Sequence, residues 1–115
     1  MKSINDSAIV PLNMNKLRGL TRETFTAQEE VLDLFFLNIS ECLTVMEKSA
    51  QENIWINAIK EIQSLSNCIG AEQISKTCTL AQSISLSSIE TRHKICTNIH
   101  ANIEILKVFI RNTRY

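Results

Sequence analysis

The sequence has few of the residues that form tight turns. Its 115 residues include two glycines, Gly19 and Gly70, and one proline, Pro11. An all-β sandwich or a doubly wound α/β fold needs many tight turns, so this scarcity argues against both classes. Hydrophobic residues make up 44% of the chain and charged residues 21%, which is enough apolar content for a packed core. The composition therefore predicts a small, soluble, mostly helical protein with a single domain.

An excess of one charge and long hydrophobic runs are also missing. Twelve basic and twelve acidic side chains give a net charge of zero, which argues against nucleic acid as the main partner. No window approaches the roughly 20 apolar residues of a membrane span. The apolar patch from Ala8 to Val10 is too short for a secretory signal. We therefore expect neither a nucleic-acid partner nor a membrane partner.

The cysteines do not form a metal or redox motif. None of the four, Cys42, Cys68, Cys78 and Cys96, belongs to a CxxC pair, and each falls within a helical pattern. A lone cysteine in such a pattern usually acts as a small hydrophobic residue, which predicts a reduced cytoplasmic protein. Glycine-rich phosphate loops and a GxSxG elbow are absent as well. The sequence therefore predicts no cofactor and no enzymatic activity.

The first half of the chain contains two helix signals. Residues 1–10 are predicted to be a flexible lead-in, followed by one helical domain over residues 11–115. Pro11 suits the first turn of a short helix that ends near Gly19 or Leu20. A capping box, Thr26 to Glu29, predicts a long helix over 27–50. Its apolar residues recur at mostly three- and four-residue steps, at Leu32, Phe35, Phe36, Ile39, Cys42, Leu43 and Met46.

Three more helices are predicted in the second half. The third begins near Asn53 and ends at Gly70, the fourth covers 71–85, and a capping box from Ser87 to Glu90 opens the last. The short connections favour antiparallel neighbours, so we expect an all-α antiparallel four-helix bundle with a short extra N-terminal helix. The inward positions predicted for these helices are Trp55, Ala58, Ile59, Ile62, Leu65, Ser66, Ile69, Ile74, Cys78, Ala81, Ile84, Ile95, Ile99, Ile103, Leu106 and Ile110.

The run from Trp55 to Ala71, W-I-N-A-I-K-E-I-Q-S-L-S-N-C-I-G-A, resembles the signature of histidine-containing phosphotransfer (HPt) domains. That signature reads approximately H-x-L-K-G-x-[SA]-x-x-[LI]-G-A. Ile62 matches the apolar position two residues after the histidine, and Ser66 matches the small inward residue. The exit Ile69-Gly70-Ala71 matches too. The resemblance extends over about residues 11–112 and implies a helical bundle of HPt type in a bacterial two-component pathway.

The phosphate-handling positions of that signature differ here. Lys60 occupies the position of the phospho-accepting histidine, Gln63 replaces the following lysine, and Ser64 replaces the glycine. An exposed lysine, with an ordinary pKa near 10.4, is almost wholly protonated at neutral pH and cannot attack an aspartyl phosphate as imidazole does. The resemblance therefore implies an HPt-like module that has kept the fold for docking and does not carry phosphate itself.

Receiver domains present, as a family, an acidic pocket with a phospho-accepting aspartate. The resemblance implies that the chain docks a response-regulator receiver or a histidine kinase, with Lys60 as an electrostatic anchor and Gln63, Ser64 and Asn67 as polar contacts. Three alternatives remain open from the sequence. Lys60 is an ordinary solvated lysine, the bundle acts outside two-component signalling, or phosphotransfer uses an unexpected residue.

His93, Cys96 and His100 are spaced so that all three share one stripe of the last helix. Imidazole and thiolate are good zinc and copper ligands, but one helix supplies only three donors where structural zinc takes four. The two histidines could also be proposed as displaced phosphoryl acceptors, although neither lies on the third helix. We expect Cys96 to pack at the edge of the apolar stripe and predict no metal site.

Overall fold

The computed structural model of the chain describes residues 10–22, 24–86 and 88–114. Five helices lie in this part of the chain: α1 (Met14–Thr21), α2 (Phe25–Glu47), α3 (Glu52–Ile69), α4 (Glu72–Ala81) and α5 (Ile89–Arg114). The described residues contain no β-strand. The predicted all-α class is therefore confirmed. The lead-in predicted over residues 1–10 lies outside the described residues except for Val10.

The core is built from the apolar stripes of the helices. The α2 stripe is confirmed, with Phe36 half-buried at its edge, and so is the α3 stripe, with Leu65 half-buried. Ile110 on α5 is only half-buried, whereas the four other α5 positions predicted inward are buried. The largest fully buried side chains include Leu17, Ile39, Met46, Ile59, Ile62, Ile74, Ile99 and Leu106.

Two hydrogen bonds set the direction of α3 against α2. The Cys42 thiol donates to Glu61 Oε2 at 3.4 Å, and Trp55 Nε1 donates to the carbonyl of Ser49 at 2.8 Å. From the first bond to the second, the residue number rises on the α2 side, from Cys42 to Ser49, and falls on α3, from Glu61 to Trp55. The two helices therefore run antiparallel, joined by a short connection.

Helix α5 contacts both α4 and α2. Asn102 Nδ2 donates to Thr77 Oγ1 on α4, at 2.5 Å, and His100 Nε2 lies 3.2 Å from Glu47 Oε2 at the end of α2. Lys107 Nζ also lies 5.5 Å from the centre of the Phe36 ring. Because His100 pairs with Glu47 and Lys107 with Phe36, α5 runs antiparallel to α2.

The predicted end of the third helix at Gly70 is confirmed. Gly70 has φ +87°, a left-handed conformation that glycine adopts at little cost, and its N–H donates to the Ser66 carbonyl. The Gly70 carbonyl accepts from the N–H of Asn13 at 2.7 Å. Asn13 is also the N-cap of α1, where its Oδ1 accepts from Lys16 N–H. Helix α1 is therefore fastened to the end of α3.

Two predicted helix starts are wrong by a few residues. Pro11 precedes α1, because Asn13 is the N-cap and its side chain accepts from the N–H of Lys16 in the first turn. Helix α2 begins one residue after Thr24, whose carbonyl accepts from Gln28 N–H at 3.0 Å. Thr26 therefore lies inside the first turn, and the capping box predicted from Thr26 to Glu29 does not form there.

Helices α2 and α4 end earlier than predicted, at Glu47 and Ala81. The Ser49 carbonyl is bonded by the Trp55 indole instead of by a further helical N–H. After α4, the Ser83 hydroxyl donates to the Leu80 carbonyl at 2.7 Å and competes with another helical turn. Ile84, predicted to face inward, is therefore outside the helix and 49% exposed.

The last helix begins as predicted, but its cap is one residue later. Ser87 lies outside the described residues. The Ser88 hydroxyl oxygen accepts from Thr91 N–H at 3.4 Å, and the Ser88 carbonyl accepts from Arg92 N–H at 3.1 Å. Ser88 is therefore the capping residue of α5. Within the described residues, none of the helices is long and apolar enough to cross a membrane.

Candidate functional site

The four residues predicted to bind a partner lie on one side of α3. Their spacing places them away from the buried stripe of that helix, which faces the core. Lys60, Ser64 and Asn67 are exposed, and Gln63 is half-buried. The expected wet face of α3 is therefore present, although its members do not share the same surroundings.

Two of the four residues are engaged inside the molecule. Gln63 Nε2 donates to Thr79 Oγ1 at 2.6 Å, and Gln63 Oε1 accepts from Gln82 Nε2. The Ser75 hydroxyl donates to Asn67 Oδ1. These bonds join α3 to α4 and show that the two helices are antiparallel. A partner that binds Gln63 or Asn67 competes with these internal bonds, so their docking role stays a prediction.

Lys60 lies in a groove of about 370 Å³ between α3, the end of α4 and the segment that follows α4. We call it the Lys60 groove. No hydrogen bond or ion pair joins the Lys60 ammonium to another described residue, so its charge faces solvent. The residues that line the groove are Glu52, Ile56, Ile59, Lys60, Ala81, Gln82, Ile84, Ser85 and Leu86.

Two exposed isoleucines that were not predicted as site residues flank Lys60. Ile56 is 37% exposed and Ile84 is 49% exposed, and both line the Lys60 groove. Ile56 could have been found, because it lies four residues before Lys60 and therefore on the same helix face. Ile84 could not, since its position depends on where α4 ends. The groove combines the Lys60 cation and the Glu52 carboxylate with two exposed isoleucines.

The positions that match the HPt signature have packing roles in this chain. Ser66 is fully buried, and its hydroxyl donates to the Ile62 carbonyl at 2.7 Å. Ala71 is also fully buried, and its N–H donates to the Ser66 carbonyl at 2.8 Å. Gly70 contacts Asn13, and an added Cβ would lie 3.0 Å from the Asn13 backbone oxygen. The matched residues therefore hold the end of α3 in place.

His93, Cys96 and His100 line a second groove, of about 400 Å³, where the beginning of α5 meets the end of α2. Burial raises the pKa of the Cys96 thiol, and the charge of Glu47 raises it further, so Cys96 stays protonated at neutral pH. Among the residues that the structure describes, no group of three or more His, Cys, Asp or Glu side chains could hold a metal ion.

The other cysteines are free thiols as well. Burial is the main cause that raises the pKa of both Cys42 and Cys78 to about 12. For Cys42, the hydrogen bond to Glu61 adds to this effect. Cys68 differs, because its side chain is exposed on α3. The three buried cysteines behave as small apolar residues, as the sequence predicted.

Comparisons with protein-family models, with curated proteins and with solved structures found no significant match to this chain.

Proposed function

We propose that the chain is an HPt-like signalling module that docks a response-regulator receiver or a histidine-kinase domain. In this proposal α2 to α5 form an antiparallel four-helix bundle, and α1 is the short extra helix. The module modulates a two-component phosphorelay without carrying phosphate. The observation that carries the proposal is Lys60, an exposed cation with no internal partner among the described residues, between Ile56 and Ile84.

The helix contacts support the bundle. Cys42 and Glu61 join α2 to α3, and His100 and Glu47 join α5 to α2. The connections from α2 to α3 and from α3 to α4 are short, as neighbouring antiparallel helices require. This arrangement leaves Lys60 and Ser64 exposed on α3, beside the residues that bond to α4.

In the Lys60 groove, the isoleucines and Lys60 contribute differently to docking. An exposed ion pair is worth only about 0–1 kcal/mol, so Lys60 alone cannot hold a partner. Full burial of an isoleucine side chain stabilises by about 1.5–3 kcal/mol, so covering the exposed parts of Ile56 and Ile84 supplies a larger share. Lys60 then selects partners with an acidic pocket and orients them.

The same residues argue against phosphate carriage. A lysine ammonium has no lone pair with which to attack an aspartyl phosphate, and Lys60 takes the position of the phospho-accepting histidine. His93 and His100 are on α5 and line the other groove. His100 is also paired with Glu47. We therefore infer docking as the activity of the α3 face.

The test is a binding titration against a panel of receiver domains and histidine-kinase domains, with and without phosphorylation of the receivers. The variants are Lys60→Glu, Ile84→Ser and the matched control Lys76→Glu, which makes the same charge change on an exposed lysine outside the groove. We expect saturable binding by the wild type and by Lys76→Glu. Lys60→Glu and Ile84→Ser should each weaken it by about tenfold or more, or roughly 1.4 kcal/mol.

Two results would overturn the proposal. Absence of binding to every receiver and kinase domain would leave a helical interaction bundle outside two-component signalling. Equal loss of binding in Lys60→Glu and Lys76→Glu would show that overall charge, and not the groove, governs the contact. Incubation with a phosphorylated receiver followed by intact-mass measurement tests the third alternative, because a gain of one phosphoryl group would show transfer.

A further inference from the structure

The second groove, where the beginning of α5 meets the end of α2, resembles a ligand site and is not used in the proposed docking. We call it the Trp55 groove. It shares no lining residue with the Lys60 groove. Its floor is apolar and formed by the buried side chains of Met46, Trp55 and Cys96. Its volume of about 400 Å³ is in the range of small-molecule sites.

One side chain, Arg92, joins the lining of this groove to the segment after α4. Arg92 Nη1 donates to the Ala50 carbonyl at 3.0 Å and to the Leu86 carbonyl at 3.1 Å. Its guanidinium also lies 5.8 Å from the centre of the Trp55 ring. Trp55 in turn is fixed by its bond to the Ser49 carbonyl. The groove is therefore preformed, and a ligand does not have to order these walls.

The polar side of the groove favours an anion. The two bonds of Arg92 use only Nη1, and its other N–H groups bond to no acceptor among the described residues. His93 is exposed with no hydrogen bond to a described residue, and an imidazole ring offers an N–H donor in either charge state. The Glu47 carboxylate also lines the groove, and its Oε2 lies 3.2 Å from His100 Nε2.

An apolar side chain stands uncovered at the mouth. Ile89, in the first turn of α5, is 75% exposed and lines the groove. Exposure of so much apolar surface is unfavourable. An apolar ligand body that lies against Ile89 would remove the exposed surface of this side chain from water. The groove thus pairs an apolar side with donors for an acidic group.

We propose that the Trp55 groove binds a small carboxylic acid with an aromatic or branched apolar body. The carboxylate accepts from Arg92 and His93, and the body lies against the exposed side chain of Ile89. This proposal does not rest on the docking proposed for α3. The metal alternative is not favoured, because Cys96 is a protonated thiol and no metal-binding group is found among the described residues.

The test uses 3-phenylpropionate as the probe and 3-phenylpropionamide and acetate as controls. Trp55, the single tryptophan of the chain, reports binding through its fluorescence, and ¹H–¹⁵N spectra locate it. We expect saturable binding of 3-phenylpropionate, with signal shifts concentrated in residues 46–55 and 89–100. The amide lacks the charge and acetate lacks the apolar body. The affinity of each should therefore be at least about tenfold lower than that of 3-phenylpropionate.

The variants are His93→Ala and Ile89→Ser, with Lys94→Ala as the matched control on the same turn. The first two should each weaken binding of 3-phenylpropionate by about fivefold to tenfold, and Lys94→Ala should not. Equal binding of the acid and its amide would overturn the proposed charge recognition. Shifts spread over the whole surface without saturation would overturn the site itself.

Discussion

The backbone N–H of Asn13 donates to the carbonyl of Gly70 across 57 positions of sequence, at 2.7 Å. The same asparagine side chain caps α1 and donates through Nδ2 to Glu72 Oε2 at 3.0 Å. Asn13 therefore fastens α1 to the turn between α3 and α4. The residues of this turn, Ile69-Gly70-Ala71, also match the HPt signature. That part of the resemblance therefore falls on residues that the fold needs for packing.

The two glycines should respond to alanine in opposite ways. Gly70→Ala places a Cβ at φ +87° and 3.0 Å from two atoms of Asn13, so we expect a loss of about 1–3 kcal/mol in the free energy of unfolding. Gly19→Ala meets no atom within 4 Å inside α1, and we expect a gain of about 0.5–1 kcal/mol. Urea denaturation measures both. Changes of the same sign would contradict the conformations described here.

Arg92 should matter for stability far more than its neighbour Lys94. Arg92→Met keeps the length of the side chain but removes two hydrogen bonds and the contact with the Trp55 ring. We expect a loss of about 1–3 kcal/mol in the free energy of unfolding. Lys94→Met changes an exposed residue and should stay within about 0.5 kcal/mol of wild type. Equal effects in thermal melts would show that the Arg92 contacts contribute nothing.

Cys78 makes the fold sensitive to alkali. Burial raises its pKa from 9.0 to about 12, so in the folded state the thiol remains protonated where the unfolded chain already loses its proton. The stabilisation is complete below pH 9 and is lost as pH rises toward 12, at about 1.4 kcal/mol per pH unit for this group. Urea unfolding at pH 8, 9 and 10 measures the slope.

Two variants separate this thiol from other alkaline titrations. Cys78→Ala lowers stability at every pH because it removes a buried sulfur, and it should also reduce the slope above pH 9 by the share of one thiol, leaving the share of Cys42. Cys68→Ser, which alters an exposed thiol, is the matched cysteine control. An unchanged slope in Cys78→Ala would show that the buried thiol is not the group responsible.

Lys60 should be dispensable for folding. Its ammonium has no partner among the described residues and its side chain is exposed. Lys60→Glu and Lys76→Glu should therefore both stay within about 0.5 kcal/mol of the wild-type free energy of unfolding. Thermal unfolding followed by circular dichroism compares the stability of the two variants with that of the wild type. A large loss in Lys60→Glu alone would mean that this lysine supports the fold and that its loss of binding is indirect.

The sequence predicted the helices well where long apolar periodicity determines them. The stripes of α2 and α3 repeat over several turns, and only one pattern of burial satisfies them. Helix ends were less predictable, since they depend on competition for single carbonyls. The Trp55 indole takes the Ser49 carbonyl and the Ser83 hydroxyl takes the Leu80 carbonyl, and neither event has a signal in local spacing.

The candidate site was predicted only in part, because helix periodicity predicts exposure but not the contacts between helices. The exposure of Lys60 and Ser64 follows from helix geometry alone, because both lie opposite the buried stripe. The hydrogen bonds of Gln63 and Asn67 do not follow, since they depend on how α4 packs beside α3. The role of Ile84 was hidden because the predicted helix extended through it.

The hydrogen bond from Arg92 to the Leu86 carbonyl connects the walls of two separate grooves. Arg92 lines one groove and Leu86 lines the other, and their polar atoms are 3.1 Å apart. An acid that draws the guanidinium toward itself would therefore pull on the segment after α4, which shapes the surface around Lys60. By thermodynamic reciprocity, a protein seated at Lys60 would change the affinity for that acid by the same factor as the acid changes the affinity for the protein. Metabolite level and protein contact would then be linked through one guanidinium.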